Sequence, residues 1–129
     1  MKLQDFLNAV ENKIKTFTNK NFKIYDTNLP TNDAFFGEFI IQSFYEANNN
    51  FYVQASLNIY VKHTIIKKYI DLYYLSLTIL RVLKMYGARL QAMDLNPLDI
   101  ESKKDYVISI NFSLLCNEDF NTLGIFYEQ

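Results

Sequence analysis

The chain has 129 residues, half of them hydrophobic and 16% aromatic, and a formal net charge of −1. That size suits one domain over residues 1–129 with its own core, and the composition is too apolar for a disordered chain. Near-neutral charge argues against nucleic acid or an anionic membrane surface as the partner, and one cysteine, Cys116, excludes an intrachain disulfide.

A lone cysteine suits a reducing compartment. The opening Met-Lys-Leu-Gln-Asp-Phe lacks the apolar core of a signal peptide. The most apolar run, residues 69–83, is interrupted by Asp71 and Arg81 and is too short to span a bilayer.

Leu3, Phe6, Leu7, Val10, Ile14 and Phe17 recur at helical spacing and predict a helix over 3–17. Asp5 near its start and Lys13 and Lys15 near its end suit the helix dipole. Residues 22–26 alternate as a short strand. Residues 27–36, with Asn28, Pro30, Asn32 and Asp33, read as a loop, either a contact surface or a simple connector. Strand character resumes over 38–47 with both faces fairly apolar, so one face is expected under the first helix or another subunit. Asn48-Asn49-Asn50 is a turn signal, because Asn tolerates positive φ, and it predicts a hairpin.

Residues 51–87 organise the rest. Phe51, Val53, Ala55, Leu57, Ile59 and Val61 fall on one face of a long strand. Tyr52, Gln54, Ser56, Asn58, Tyr60 and Lys62 fall on the other, wetter face. A helix is predicted over 65–86, capped by Thr64. Its expected buried band is Tyr69, Leu72, Tyr73, Ser76, Ile79, Leu80 and Leu83. Lys67, Asp71, Thr78 and Arg81 mark the wet side, with Tyr74 and Leu75 near it. Alanine at Leu80 is expected to cost about 2–5 kcal/mol if the site cannot collapse. Gly87 suits a left-handed residue after the helix. A strand over 88–95 is expected to end at Asn96-Pro97, with a loop over 98–105 and a last strand over 106–116. Residues 117–129 form a tail made apolar by Leu123, Ile125, Phe126 and Tyr127, expected to add an edge strand or dock on a neighbour. The order helix, short strand, hairpin, helix, hairpin predicts an α+β two-layer sandwich. Its sheet is mainly antiparallel with four or five strands, and the N-terminal helix and one long central helix pack on it.

Signals for chemistry are weak. His63 is the only histidine and Cys116 has no partner pair, so neither forms a metal-ligand set. His63 reads as closing a strand at the surface, and Cys116 as a small buried residue. Asp94, Asp99 and Glu101 are the tightest carboxylate cluster, but nothing in the sequence brings a base to them. Three glycines, at 37, 87 and 124, make no phosphate loop. No catalytic, cofactor-binding or metal-binding residue is assigned, and no cofactor. The tyrosines of the basic central helix have core spacing, which argues against a nucleic-acid interface. Charge is unevenly placed, however. Residues 60–89 carry Lys62, Lys67, Lys68, Arg81, Lys84 and Arg89 against Asp71 alone, whereas residues 90–129 carry seven acids against Lys103 and Lys104. Such asymmetry describes solvated faces of unequal charge, or a head-to-tail contact between copies. The candidate subunit-interface residues are Lys67, Arg81, Lys84 and Arg89 on one side and Asp94, Asp99 and Glu101 on the other.

The strand Leu57-Asn-Ile-Tyr-Val61, the helical run over residues 69–83, Leu90-Gln-Ala-Met-Asp-Leu95 and the closing Tyr106-Val-Ile-Ser-Ile-Asn-Phe112 resemble, in order and length, phage tail terminator proteins. These are also called tail-completion or minor tail proteins and include a family of Mu-like prophages. The N-terminal helix matches in place. The resemblance implies a virion structural protein without catalytic residues. It implies a ring, commonly a hexamer, that caps the tail tube and presents a surface to the head-tail connector. The tube protein and the connector are then its partners, with no membrane involved, and its location is the virion tail or the bacterial cytoplasm during assembly. On this reading, reversing the signs of Arg81 and Lys84 weakens the ring. The second reading is a dimeric secretion chaperone of the type III kind, which has a similar length and element order. A closing amphipathic helix would favour the chaperone, and a strand or arm reaching another copy would favour the ring.

Overall fold

The apolar stripe of the N-terminal segment folds as α1 (Leu3–Thr18), which buries Phe6, Val10 and Ile14. Asn19 ends it in the left-handed conformation, φ 54°, its N–H donating to the Lys15 carbonyl. The structure, a computed structural model, describes residues 2–100 and 103–115. After α1 come β1 (Ile24–Tyr25), β2 (Phe35–Ala47), β3 (Asn50–Val61), α2 (Tyr69–Met85), β4 (Arg89–Ile100) and β5 (Lys103–Leu115). The strands form one sheet in the order β1-β2-β3-β5-β4. β1 runs parallel to β2 and every other pair is antiparallel, so the sheet is mixed and the fold is α+β.

One face of this sheet is the core. The alternation in β3 buries Val53, Ala55, Leu57, Ile59 and Val61, and β5 adds Tyr106, Ile108, Ile110, Phe112 and Leu114. The register sets Leu57 beside Ile110 and Ile59 beside Ile108, which makes the apolar face continuous across the central strands. Leu72, Ile79, Val82 and Leu83 of α2 pack onto it. From α1, Phe6 meets Phe112 with ring centroids 5.8 Å apart. Glu11 fastens the small outer strand, its Oε1 accepting the Ile24 N–H at 2.8 Å. Gly37 is needed at its place in β2. A Cβ there would lie 3.1 Å from Phe22 Cζ and 3.2 Å from Leu57 Cδ1. The β2–β3 hairpin turns on Asn48 and Asn49, both at positive φ (53° and 63°), the geometry of a two-residue type I′ turn.

Several expected boundaries are corrected. The second helix begins at Tyr69, a turn later than its periodicity implies. The Ile65 and Ile66 N–H groups both donate to the Lys62 carbonyl, and Ile66 is buried, so residues 62–68 form an anchored bend between layers. Thr64 therefore caps nothing, and the N-cap is Lys68 in extended backbone without a side-chain cap. The buried band is rotated as well. Val82 is buried, whereas Tyr73, nine residues earlier and so half a turn away around the helix, is 44% exposed. Tyr69 is exposed too, and Leu80 only half-buried. Ser76 is buried at no cost in hydrogen bonding, because its hydroxyl donates to the Leu72 carbonyl at 2.7 Å. β4 does not stop at Pro97, and residues 98–100 and 103–105 are strand rather than loop. β4 is the edge strand of the sheet, where a missing N–H is tolerated. β2 likewise starts at Phe35, inside the expected loop. Cys116 and the tail over 117–129 lie outside the described residues.

Candidate functional site

Among the described residues, helices cover one face of the sheet and the other carries a polar and aromatic surface. On it Phe36 and Tyr60 stack with centroids 5.0 Å apart and planes 17° from parallel, and Tyr25 meets Phe36 edge-on at 6.0 Å. Glu38 Oε1 accepts hydrogen bonds from Tyr60 Oη and Asn58 Nδ2, each at 3.2 Å. Partial burial, followed by the charge of Glu38 and that hydrogen bond, pushes the Tyr60 phenol up. Tyr25 Oη donates to Asp33 Oδ2 at 2.9 Å, and that bond above all, then burial and the nearby carboxylates, raises the Tyr25 phenol. At the far end Tyr45 and Tyr52 stack at 5.3 Å.

Between the aromatic groups run two side-chain chains. Gln42 Nε2 donates to Ser56 Oγ at 2.7 Å, and Ser56 in turn donates to Asn111 Oδ1. Ser43 Oγ donates to Gln54 Oε1 at 3.0 Å, and Gln54 Nε2 donates to Gln91 Oε1 at 2.9 Å. Gln42 and Gln91 are the residues skipped by the ladders of β2 and β4, that is, the bulge positions. A bulge residue is re-aimed out of the alternation, and here both are glutamines: Gln42 reaches Ser56 on the neighbouring β3, and Gln91 meets Gln54 of β3 across the intervening β5. Among the described residues, no buried polar side-chain atom lacks a partner.

Beyond the helices the β2–β3 hairpin projects with Ile40, Ile41, Phe44, Tyr45 and Phe51 exposed, Phe44 to 64%. On the helix layer, Tyr69, Ile70, Tyr73, Tyr74 and Leu77 of α2 are exposed. Contiguous apolar surface of this kind marks contact sites. A cleft of about 290 Å³ lies between these regions, lined by Phe6, Tyr52, Tyr86, Arg89 and Leu115. An open groove of about 730 Å³ follows the end of α1, edged by Lys15, Lys20, Lys23 and Asp33, and so takes in part of the expected loop.

The expected interface residues are spread rather than gathered. Lys67 is exposed on the bend before α2, and Lys84 on its last turn. Arg81 is exposed with its guanidinium 5.9 Å from the centre of the Phe17 ring. Arg89 opens β4, and Asp94 is exposed further along the same strand at the Ser109 level. Asp99 stands opposite Lys104 in the register, and Glu101 is outside the described residues. Sequence reasoning missed Asp105. Its Oδ1 accepts both the His63 backbone N–H and a bond with His63 Nδ1, each at 3.0 Å. Partial burial pushes the Asp105 carboxyl up, but the His63 hydrogen bonds and the charges of His63 and Lys62 outweigh it, leaving its pKa lowered. The two residues are 42 positions apart, so only β3–β5 pairing reveals the contact. Among the described residues no group of three or more His, Cys, Asp or Glu could hold a metal ion, and no helix is long and apolar enough to cross a membrane.

Compared with known proteins, the chain matches no family model and no curated protein.

Proposed function

We propose that this chain is a non-enzymatic structural protein that assembles head to tail into a ring, a phage tail terminator that caps the tail tube and meets the head-tail connector. The observation that carries the reading is the unlike character of its surfaces. The helix layer exposes Lys67, Arg81 and Lys84, the edge strand β4 exposes Asp94, and among the described residues no helix covers the second sheet face. A surface that differs from one side to the other suits a heterologous contact, which closes into a ring when the rotation allows. Its charges set orientation and specificity more than affinity. The ordered side-chain chains of the uncovered face suit a surface held in one shape for a partner, since satisfied polar networks rigidify what carries them.

The test is the solution mass of the purified chain, by light scattering over a concentration series. A six-fold species, or a monomer converting to a ring at high concentration, is expected. A tight dimer at every concentration would overturn the ring and favour the secretion-chaperone reading instead.

A further inference from the structure

The end of α1 and its link to β1 are basic throughout. Residues 12–25 hold four lysines and no acid. Three of these, Lys15, Lys20 and Lys23, are exposed and edge the open groove of about 730 Å³. The backbone that carries them is fixed at both ends. The Lys15 carbonyl accepts the Asn19 N–H and the Lys23 carbonyl accepts the Gly37 N–H, each at 2.9 Å. Among the described residues none of the three forms an ion pair, although Lys23 Nζ lies 5.2 Å from the centre of the Tyr25 ring. Asp33, the acid among the described lining residues, has its Oδ2 engaged by the Tyr25 hydroxyl. Elsewhere the lining is uncharged. Phe22 and Phe35 contribute a pair of buried rings 4.7 Å apart, Ile65 is half-buried, and Asn19 and Asn21 expose their amides.

We infer that this groove binds a small ligand carrying two or three linked phosphates, a nucleoside di- or triphosphate or an inorganic oligophosphate. Like charges gathered around one concavity concentrate anions there. A lone carboxylate brings one charge and two oxygens, too few for three ammonium groups. Linked phosphates bring several charges close together, and their oxygens accept from many donors. Lysine meets them as a point charge with three rotatable N–H groups. The dipole at the C-terminus of α1 opposes an anion with about half a charge, against three full charges in favour. The groove also lies within the roughly 300–1,000 Å³ range of small-ligand sites. Its lysines are confined to that one concavity rather than drawn out as a stripe, which separates it from a nucleic-acid track. For a nucleoside phosphate, Ile65 and the Asn19 and Asn21 amides supply an uncharged wall for the base. The inference goes beyond the ring and does not rest on it, because none of the three lysines belongs to the contact proposed there.

Isothermal titration calorimetry of the purified chain tests it, with sodium tripolyphosphate and ATP as probes, at low salt and without divalent cations. Saturable binding of one equivalent is expected. Tighter binding of ATP assigns the groove to a nucleotide, tighter binding of tripolyphosphate to an inorganic chain, and equal binding to the phosphates that both share. Lys15→Ala, Lys20→Ala and Lys23→Ala should each weaken binding about tenfold, as expected for losing one hydrogen bond to a charged group, and Lys20→Arg should retain it. Lys2→Ala removes the same charge about 20 Å away along α1, at about 1.5 Å per residue, and should leave binding unchanged. Each replaced lysine is exposed, so far-ultraviolet circular dichroism should match wild type throughout. Absence of saturable heat, or an equal loss in Lys2→Ala, would overturn the inference. A thymidylate dodecamer or poly-L-glutamate binding more tightly than both probes would mark a general polyanion surface and defeat it as well. Calorimetry reads the groove and light scattering the ring, so either idea can fail alone.

Discussion

Gly37 illustrates how one residue can be fixed by what surrounds it. Its φ is ordinary, and the constraint is the crossing of Phe22 and Leu57 above it, both almost fully buried. Neither neighbour can yield without disturbing the core, so Gly37→Ala is expected to destabilise by about 1–3 kcal/mol, the usual range for overpacking. A urea titration compared with wild type checks this, and an unchanged midpoint would refute it. At Asp105 the argument concerns charge. Its carboxyl has a lower pKa in the folded chain than in the unfolded one, so the unfolded state binds more protons as acid is added. The stabilisation is complete above the ordinary carboxylate range and disappears as pH falls through the lowered folded-state value. Asp105→Asn should therefore cost on the order of 1 kcal/mol near neutrality, kept small by solvent screening. The gap to wild type should close below the ordinary carboxylate pKa, as read from urea melts at a series of pH values.

At the scale of the element, α2 decides how the two layers register. Its buried stripe is Leu72, Ser76, Ile79, Val82 and Leu83, narrower than its composition implies. Ile79 is fully buried and Leu80 only half so. Ile79→Ala is expected to cost about 2–5 kcal/mol, and Leu80→Ala clearly less, because the cost grows with the cavity left behind. Thermal melts of the two variants side by side give the order, and a larger loss at Leu80 would mean that the helix is rotated from the position described. The α2 helix also shows where residue patterns ran out. Tyr69, Tyr73 and Leu80 have the spacing of a buried band, yet the packing of α1 and α2 on one sheet chooses Val82 in their place. Tyrosine accepts either outcome, being apolar in its ring and polar at its tip.

At the scale of the whole molecule the dominant fact is that, among the described residues, the five-stranded sheet has its helices on one side. The other side is held by the Gln42–Ser56–Asn111 and Ser43–Gln54–Gln91 chains and by stacked rings. An assembly joined through unlike charged sides should weaken with salt, because exposed charges are screened beyond about 10 Å at 0.1 M. The species seen by light scattering is accordingly expected to shift to lower mass as salt is raised. Insensitivity to salt would place the contact on the apolar hairpin around Phe44 and Phe51 instead.

The element order, the hairpin at Asn48 and Asn49, the greasy face of β3 and the left-handed Gly87 were all readable from the residues alone. Each rests on local periodicity or on backbone preference, which act within a few positions of the chain. Other features came only with the tertiary structure. Pro97 lies within a strand because β4 is an edge, and the parallel pairing of β1 with β2 makes the sheet mixed. Asp105 meets His63, and two bulge glutamines bridge strands. These depend on which segments become neighbours, and that is settled by burying the whole apolar face at once rather than by the preference of any one stretch.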